Sequence, residues 1–125
     1  MALSKDVMGG GFSAGQANAL NGNYASIAAT GSSITDAAAV TASMVVVTAA
    51  DGTKGVKLSG NVGDSIFLAN SSASTLKVYP GSASEAIWVP GSSAGTGGTA
   101  YSLTLWGVTE FVKITPTQWI VQKSA

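Results

Sequence analysis

The stretch Asp64-Ser65-Ile66-Phe67-Leu68-Ala69-Asn70-Ser71-Ser72-Ala73-Ser74-Thr75-Leu76-Lys77-Val78-Tyr79-Pro80-Gly81 decides how the chain is read. Two short apolar runs, 65–70 and 76–79, are separated by a cluster of Asn and Ser and closed by Pro-Gly. Leu76 and Val78 fall on one side of an extended segment while Lys77 and Tyr79 take the other, which is the two-residue period of a strand. The polar cluster and the Pro-Gly pair are turn chemistry, so the unit is strand, turn, strand, turn.

The same grammar extends in both directions. Further strands are expected over 44–48, 56–58, 86–89, 101–105, 110–115 and 118–123. Asp51-Gly52, Gly60 to Gly63, Pro90-Gly91, Trp106-Gly107 and Pro116 supply the punctuation, and each Pro sits at a strand end, where a missing donor costs little. Tyr101, Leu103 and Leu105 read as one face, opposite Ser102 and Thr104. Short strands with no useful helix between them predict antiparallel pairing, hence an all-β fold: a jelly-roll or barrel-like sandwich over residues 43–125.

Residues 1–42 read differently. They are mostly Ala, Gly, Ser and Asn, and their larger apolar groups match no sustained period. Ser13 to Leu20 has room for two helical turns, and Thr35 or Asp36 can cap a short turn through Ala37, Ala38 and Ala39. Small side chains bury little area, so this segment is expected to be an extended N-terminal arm. Its start has no continuous apolar core of the kind a secretory leader needs, and no stretch of the chain reaches membrane-spanning length.

Composition excludes several kinds of chemistry. The 125 residues suit one domain, and only 10% are charged, against about 25% in an average soluble domain. Ala, Gly, Ser and Thr make up just over half of the chain. There is no Cys, no His and no Arg, so thiol nucleophiles, imidazole bases, the common zinc sites and bidentate phosphate forks are all missing. Six Lys against six acids, spread singly, make no basic patch for nucleic acid. Lys54 and Lys57 read as charges that keep a strand edge soluble.

The possible catalysts are six carboxylates. Asp51 and Asp64 are accounted for by turns, and no sequence feature brings Glu85 and Glu110 together as a glycosidase pair. Gly9 to Gly11 and Gly95 to Gly98 lack the Gly-Lys-Ser/Thr ending of a phosphate loop. No enzymatic activity, cofactor or metal is expected. Interaction is the remaining theme. Trp119 reads as core, whereas Trp106 beside Gly107 and Trp88 beside a long Ser/Gly loop read as contact residues. Leu3, Phe12, Leu20 and Tyr24 are the arm's own anchors.

Gly55-Val56-Lys57-Leu58, then Gly63-Asp64 leading into Ile66 to Asn70, then Thr75-Leu76-Lys77-Val78-Tyr79-Pro80, form an ordered series. With Thr117-Gln118-Trp119 near the end, and Met1 to Asp6 followed by Gln16 to Leu20 at the start, the series resembles small virion proteins of tailed bacteriophages. It departs from them after Pro80, where Glu85-Ala86-Ile87-Trp88 and the Ser/Gly/Thr loop 91–99 stand in place of an Asn-Gly turn. The resemblance implies a capsid decoration, or cement, protein: a β domain, often a homotrimer, that binds the major capsid protein on the outer surface of the head after assembly in the host cytoplasm. The alternative from the residues alone is a carbohydrate-binding or host-recognition module that stacks sugars on Trp88, Trp106 or Tyr79.

Overall fold

A computed structural model describes residues 24–91 and 95–122. The strands are β1 (Tyr24–Ala28), β2 (Ala38–Ala39), β3 (Met44–Thr48), β4 (Gly55–Lys57), β5 (Ser65–Asn70), β6 (Leu76–Tyr79), β7 (Ala86–Trp88), β8 (Tyr101–Leu103), β9 (Val108–Thr115) and β10 (Gln118–Gln122). They form a six-stranded sheet in the order β1-β3-β5-β9-β10-β7 and a four-stranded sheet in the order β2-β4-β6-β8. The fold is all-β, with both sheets contributing to one core.

Pairing is mixed, not antiparallel as expected. β1 with β3, β3 with β5, β2 with β4, β4 with β6, and β10 with β7 are parallel. Only β5 with β9, β9 with β10, and β6 with β8 are antiparallel. The reason is topological. A parallel pair needs a crossover, and a helix is one kind of crossover among several. Here a strand of the opposite sheet serves: from β1 to β9 each successive strand crosses to the other sheet, so the chain winds around the core. The expected jelly-roll or barrel-like order gives way to this winding.

The segment 24–42, read from the sequence as part of an arm, is built into both sheets. Tyr24–Ala28 lies beside Met44–Thr48 in register, and Ala38–Ala39 lies beside Val56 and Lys57. Val40 is fully buried, and Ala29, Ala37 and Ala42 are nearly so. Small side chains bury little individually, but backbone pairing and close approach compensate where the chain is already wound against a core. The expected cap at Thr35 or Asp36 is instead a turn closed by amides of Asp36 and Ala37 on Ser33 O, and Ala38 and Ala39 leave it as strand.

The core alternates as the strand period requires. Val45 and Val47, Ile66 and Leu68, Phe111, Trp119 and Val121 point inward from the large sheet. Val56, Leu76, Val78 and Leu103 meet them from the small one. Tyr101 stands edge-on to Phe111, with ring centroids 5.7 Å apart. Trp119 is completely buried, as expected, and truncating it to Ala would cost about 3–5 kcal/mol.

Candidate interaction surface

The outward-facing residues of the large sheet fall into cross-strand rows. One row runs Tyr24, Met44, Phe67, Glu110, Gln122. Beside it runs Ser26, Val46, Ala69, Val108, and on the other flank Ser65, Val112, Ile120, Trp88. Tyr24 at 67% exposure, Met44 at 47%, Phe67 at 43% and Val108 at 50% are large apolar groups left in solvent. Glu110 is the single charged side chain in these rows, and its carboxylate accepts a hydrogen bond from Ser65 Oγ.

The small sheet turns a different surface outward. Lys57 and Lys77 project from neighbouring strands, with Lys77 Nζ donating to Ser102 Oγ at 3.1 Å. Tyr79 is half-buried: its hydroxyl donates to Ser32 O at 3.0 Å, and its ring lies where a Cβ on Gly55 would meet it at 2.7 Å. It is a packed residue, not an open stacking platform. Tyr79, Trp88 and Trp106 lie on β6, on β7 and in the β8–β9 turn, so no one strand or sheet gathers them.

The β8–β9 turn carries Leu105 and Trp106. Strand pairing stops at Leu103, so the expected alternation through Leu105 ends early and Leu105 is 51% exposed. Trp106 is 63% exposed and has φ of 57°, in the left-handed region that a bulky residue rarely occupies. The turn is held from beneath by Asn70, which is buried. Asn70 Nδ2 donates to Ser74 O at 2.8 Å and Thr104 O at 3.0 Å, with Leu103 O at 3.4 Å. Its Oδ1 accepts from Ser72 N, its own amide donates to Gly107 O, and Trp106 N donates to Ser72 O. One amide side chain thus ties the β5–β6 turn to the β8–β9 turn.

A second polar cluster sits at the other end of the core. Trp119 Nε1 donates to Glu85 Oε1 at 2.7 Å, and Lys113 Nζ lies 3.4 Å from the same oxygen. Lys113 Nζ also donates to Gly60 O at 3.0 Å and stands 5.7 Å from the centre of the Trp119 ring. Gly81 N and Ser82 Oγ complete the shell of the Glu85 carboxylate. With its hydrogen-bonding capacity taken up by the protein, this pair fastens the 81–85 turn to β9 and β10. Glu85 and Glu110 are bound to different partners and share no site.

Asp51 is a turn carboxylate, as expected. It accepts from the Thr53 hydroxyl at 2.7 Å and from the amides of Thr53 and Lys54. The Thr53 hydroxyl first, then those amides, hold its carboxyl down at about 2. Among the described residues, no three His, Cys, Asp or Glu side chains gather as a metal site would need.

Of the six contact residues expected from sequence, Tyr24, Trp88 and Trp106 are exposed on the large sheet and its connecting turn. Leu3, Phe12 and Leu20 lie outside the described residues. Met44, Phe67 and Val108 as surface groups were not expected from the sequence, nor were the buried Asn70 and Lys113 or the nearly enclosed Glu85. The signal for the first set was present: an unbroken apolar run such as 44–47 puts apolar groups on both faces of a strand. No family model, curated protein or solved structure matches this chain.

Proposed function

We propose that the chain is a structural protein of a tailed-phage particle, a decoration protein that binds the assembled head lattice from outside. The observation that carries this reading is Trp106, a large aromatic held outward in a strained backbone conformation by a buried hydrogen-bond network. Strain of this kind persists only where surrounding structure enforces it, and it concentrates where a residue must be presented. A rigid exposed Trp is what an interface anchor requires, because little conformational freedom is lost when it docks.

The partner is the major capsid protein, and the mechanism is mass action. A chain that binds only the assembled lattice stabilises that lattice against disassembly. Leu3, Phe12 and Leu20 reach a neighbouring capsid subunit, while Trp106, with Leu105 beside it, contacts the lattice from the β domain. The composition supports the reading: few charges and abundant Ser, Thr and Gly suit a surface that neighbours cover.

Co-sedimentation with assembled heads tests it. Trp106→Gly removes the anchor and relieves the backbone, so a loss of head binding with unimpaired folding is the expected result. Removing residues 1–20 is expected to weaken head binding as well. Binding by Trp106→Gly equal to that of the wild type overturns the role of the turn. Fluorescence changes with surface polysaccharide, together with no affinity for heads, would instead make the chain a host-recognition module.

A further inference from the structure

We propose that the outer face of the six-stranded sheet is a self-association surface, and that its occupant is the same face of a second copy of the chain. This stands apart from the capsid reading and from the Trp106 turn; either can fail without the other.

The rows Tyr24–Met44–Phe67 and Val46–Ala69–Val108 are apolar side by side, and among the described residues Glu110 is the single charge on the face, already hydrogen-bonded to Ser65. Such a surface offers nothing to a charged partner and penalises one, since ions set against it lose water without gaining a counter-charge. It fits a surface equally free of charge, and a second copy presents one. The formal net charge of zero adds no long-range repulsion between copies.

With strands about 4.8 Å apart and alternate residues about 6.7 Å apart, rows of five, four and four residues cover roughly 420 Å² in projection. With the relief of the side chains added, that is the scale of a small interface, against the roughly 800 Å² per partner of a standard one. Exposed patches above a few hundred Å² are uncommon on monomers.

The opposite face carries Lys57, Lys77, Tyr79 and Ser102, so it cannot imitate the apolar face. Pairing is therefore face to face about a two-fold axis and stops at two copies, with both polar sheets outward. A separate threefold contact would make six chains from two trimers; the face itself builds only pairs.

Light scattering on the full chain reads the mass directly. From 12.3 kDa per chain, the expected species is about 25 kDa, or about 74 kDa if trimers pair. Phe67→Glu buries an unpaired carboxylate in the contact and should weaken pairing about a hundredfold or more. Because the chain has no cysteine, an introduced thiol reports without ambiguity. Met44→Cys should give covalent pairs with a short bis-maleimide, while Lys57→Cys on the other sheet should not. A monomer, a species of about 37 kDa, a mass that Phe67→Glu leaves unchanged, or equal cross-linking of the two cysteine variants would each overturn the proposal.

Discussion

Asn70 shows how much of this molecule one residue organises. It is an apolar strand's last position, yet its amide satisfies carbonyls from two turns far apart in sequence. Asn70→Ala leaves buried acceptors and the Ser72 amide unpaired, and should cost about 2–3 kcal/mol by urea denaturation. Trp106 stands on that support. Left-handed backbone costs a non-glycine residue about 1–2 kcal/mol, so Trp106→Gly should unfold at the same urea concentration as the wild type or a higher one. Asp51 gives a test by pH. Its carboxyl is held at about 2, below the ordinary 3.8, so the folded state favours the ionised form. That contribution is complete above about pH 3.8 and fades as pH falls through about 2. The melting temperature of Asp51→Ala should accordingly lie below that of the wild type near neutral pH and converge on it toward pH 2.

At the level of strands, Glu85 and Lys113 join the 81–85 turn to the β9–β10 hairpin through a nearly enclosed ion pair. Glu85→Ala strands the ammonium and the Trp119 indole nitrogen, and should destabilise by about 3–5 kcal/mol. Glu85→Gln combined with Lys113→Met should recover most of that loss in the same denaturation assay, because the pair's attraction roughly balances its desolvation. Neither residue announced itself in the sequence. Lys113 was legible only as the third inward position after Thr109 and Phe111, and a charge there argues against burial until its partner is known. Strand positions read more easily. The runs 44–48, 65–70 and 76–79 form the strands expected of them, because turn residues bracket each apolar run closely. Ala38–Ala39 and Tyr24–Ala28 left no such trace: β2 is only two alanines, paired with Val56 and Lys57, and β1 depends on the Met44–Thr48 edge beside it. Trp88 and Trp106 were legible as contact aromatics and Tyr24 as an anchor of the arm, but the rows joining Tyr24 to Met44 and Phe67 depend on register, which no single strand encodes.

For the molecule as a whole, the winding decides both the folding rate and the shape of the surface. Outside the β9–β10 hairpin, neighbours in each sheet are separated by at least one passage through the other sheet, so most native contacts are non-local. Stopped-flow refolding should therefore take milliseconds to seconds, well outside the microsecond range of helical bundles. The same winding carries a consequence for descent. Each circuit of the chain, one strand in the large sheet and one in the small, repeats the geometry of the circuit before it, as β1–β2, β3–β4 and β5–β6 do. A fold made of like circuits can grow or shrink by whole circuits at the side where β1 and β2 are the border strands among the described residues, without redrawing the antiparallel cap formed by β8, β9 and β10. Duplication of some twenty residues would thus yield a taller protein of the same cross-section, a route by which length can change while the surface pattern is inherited intact.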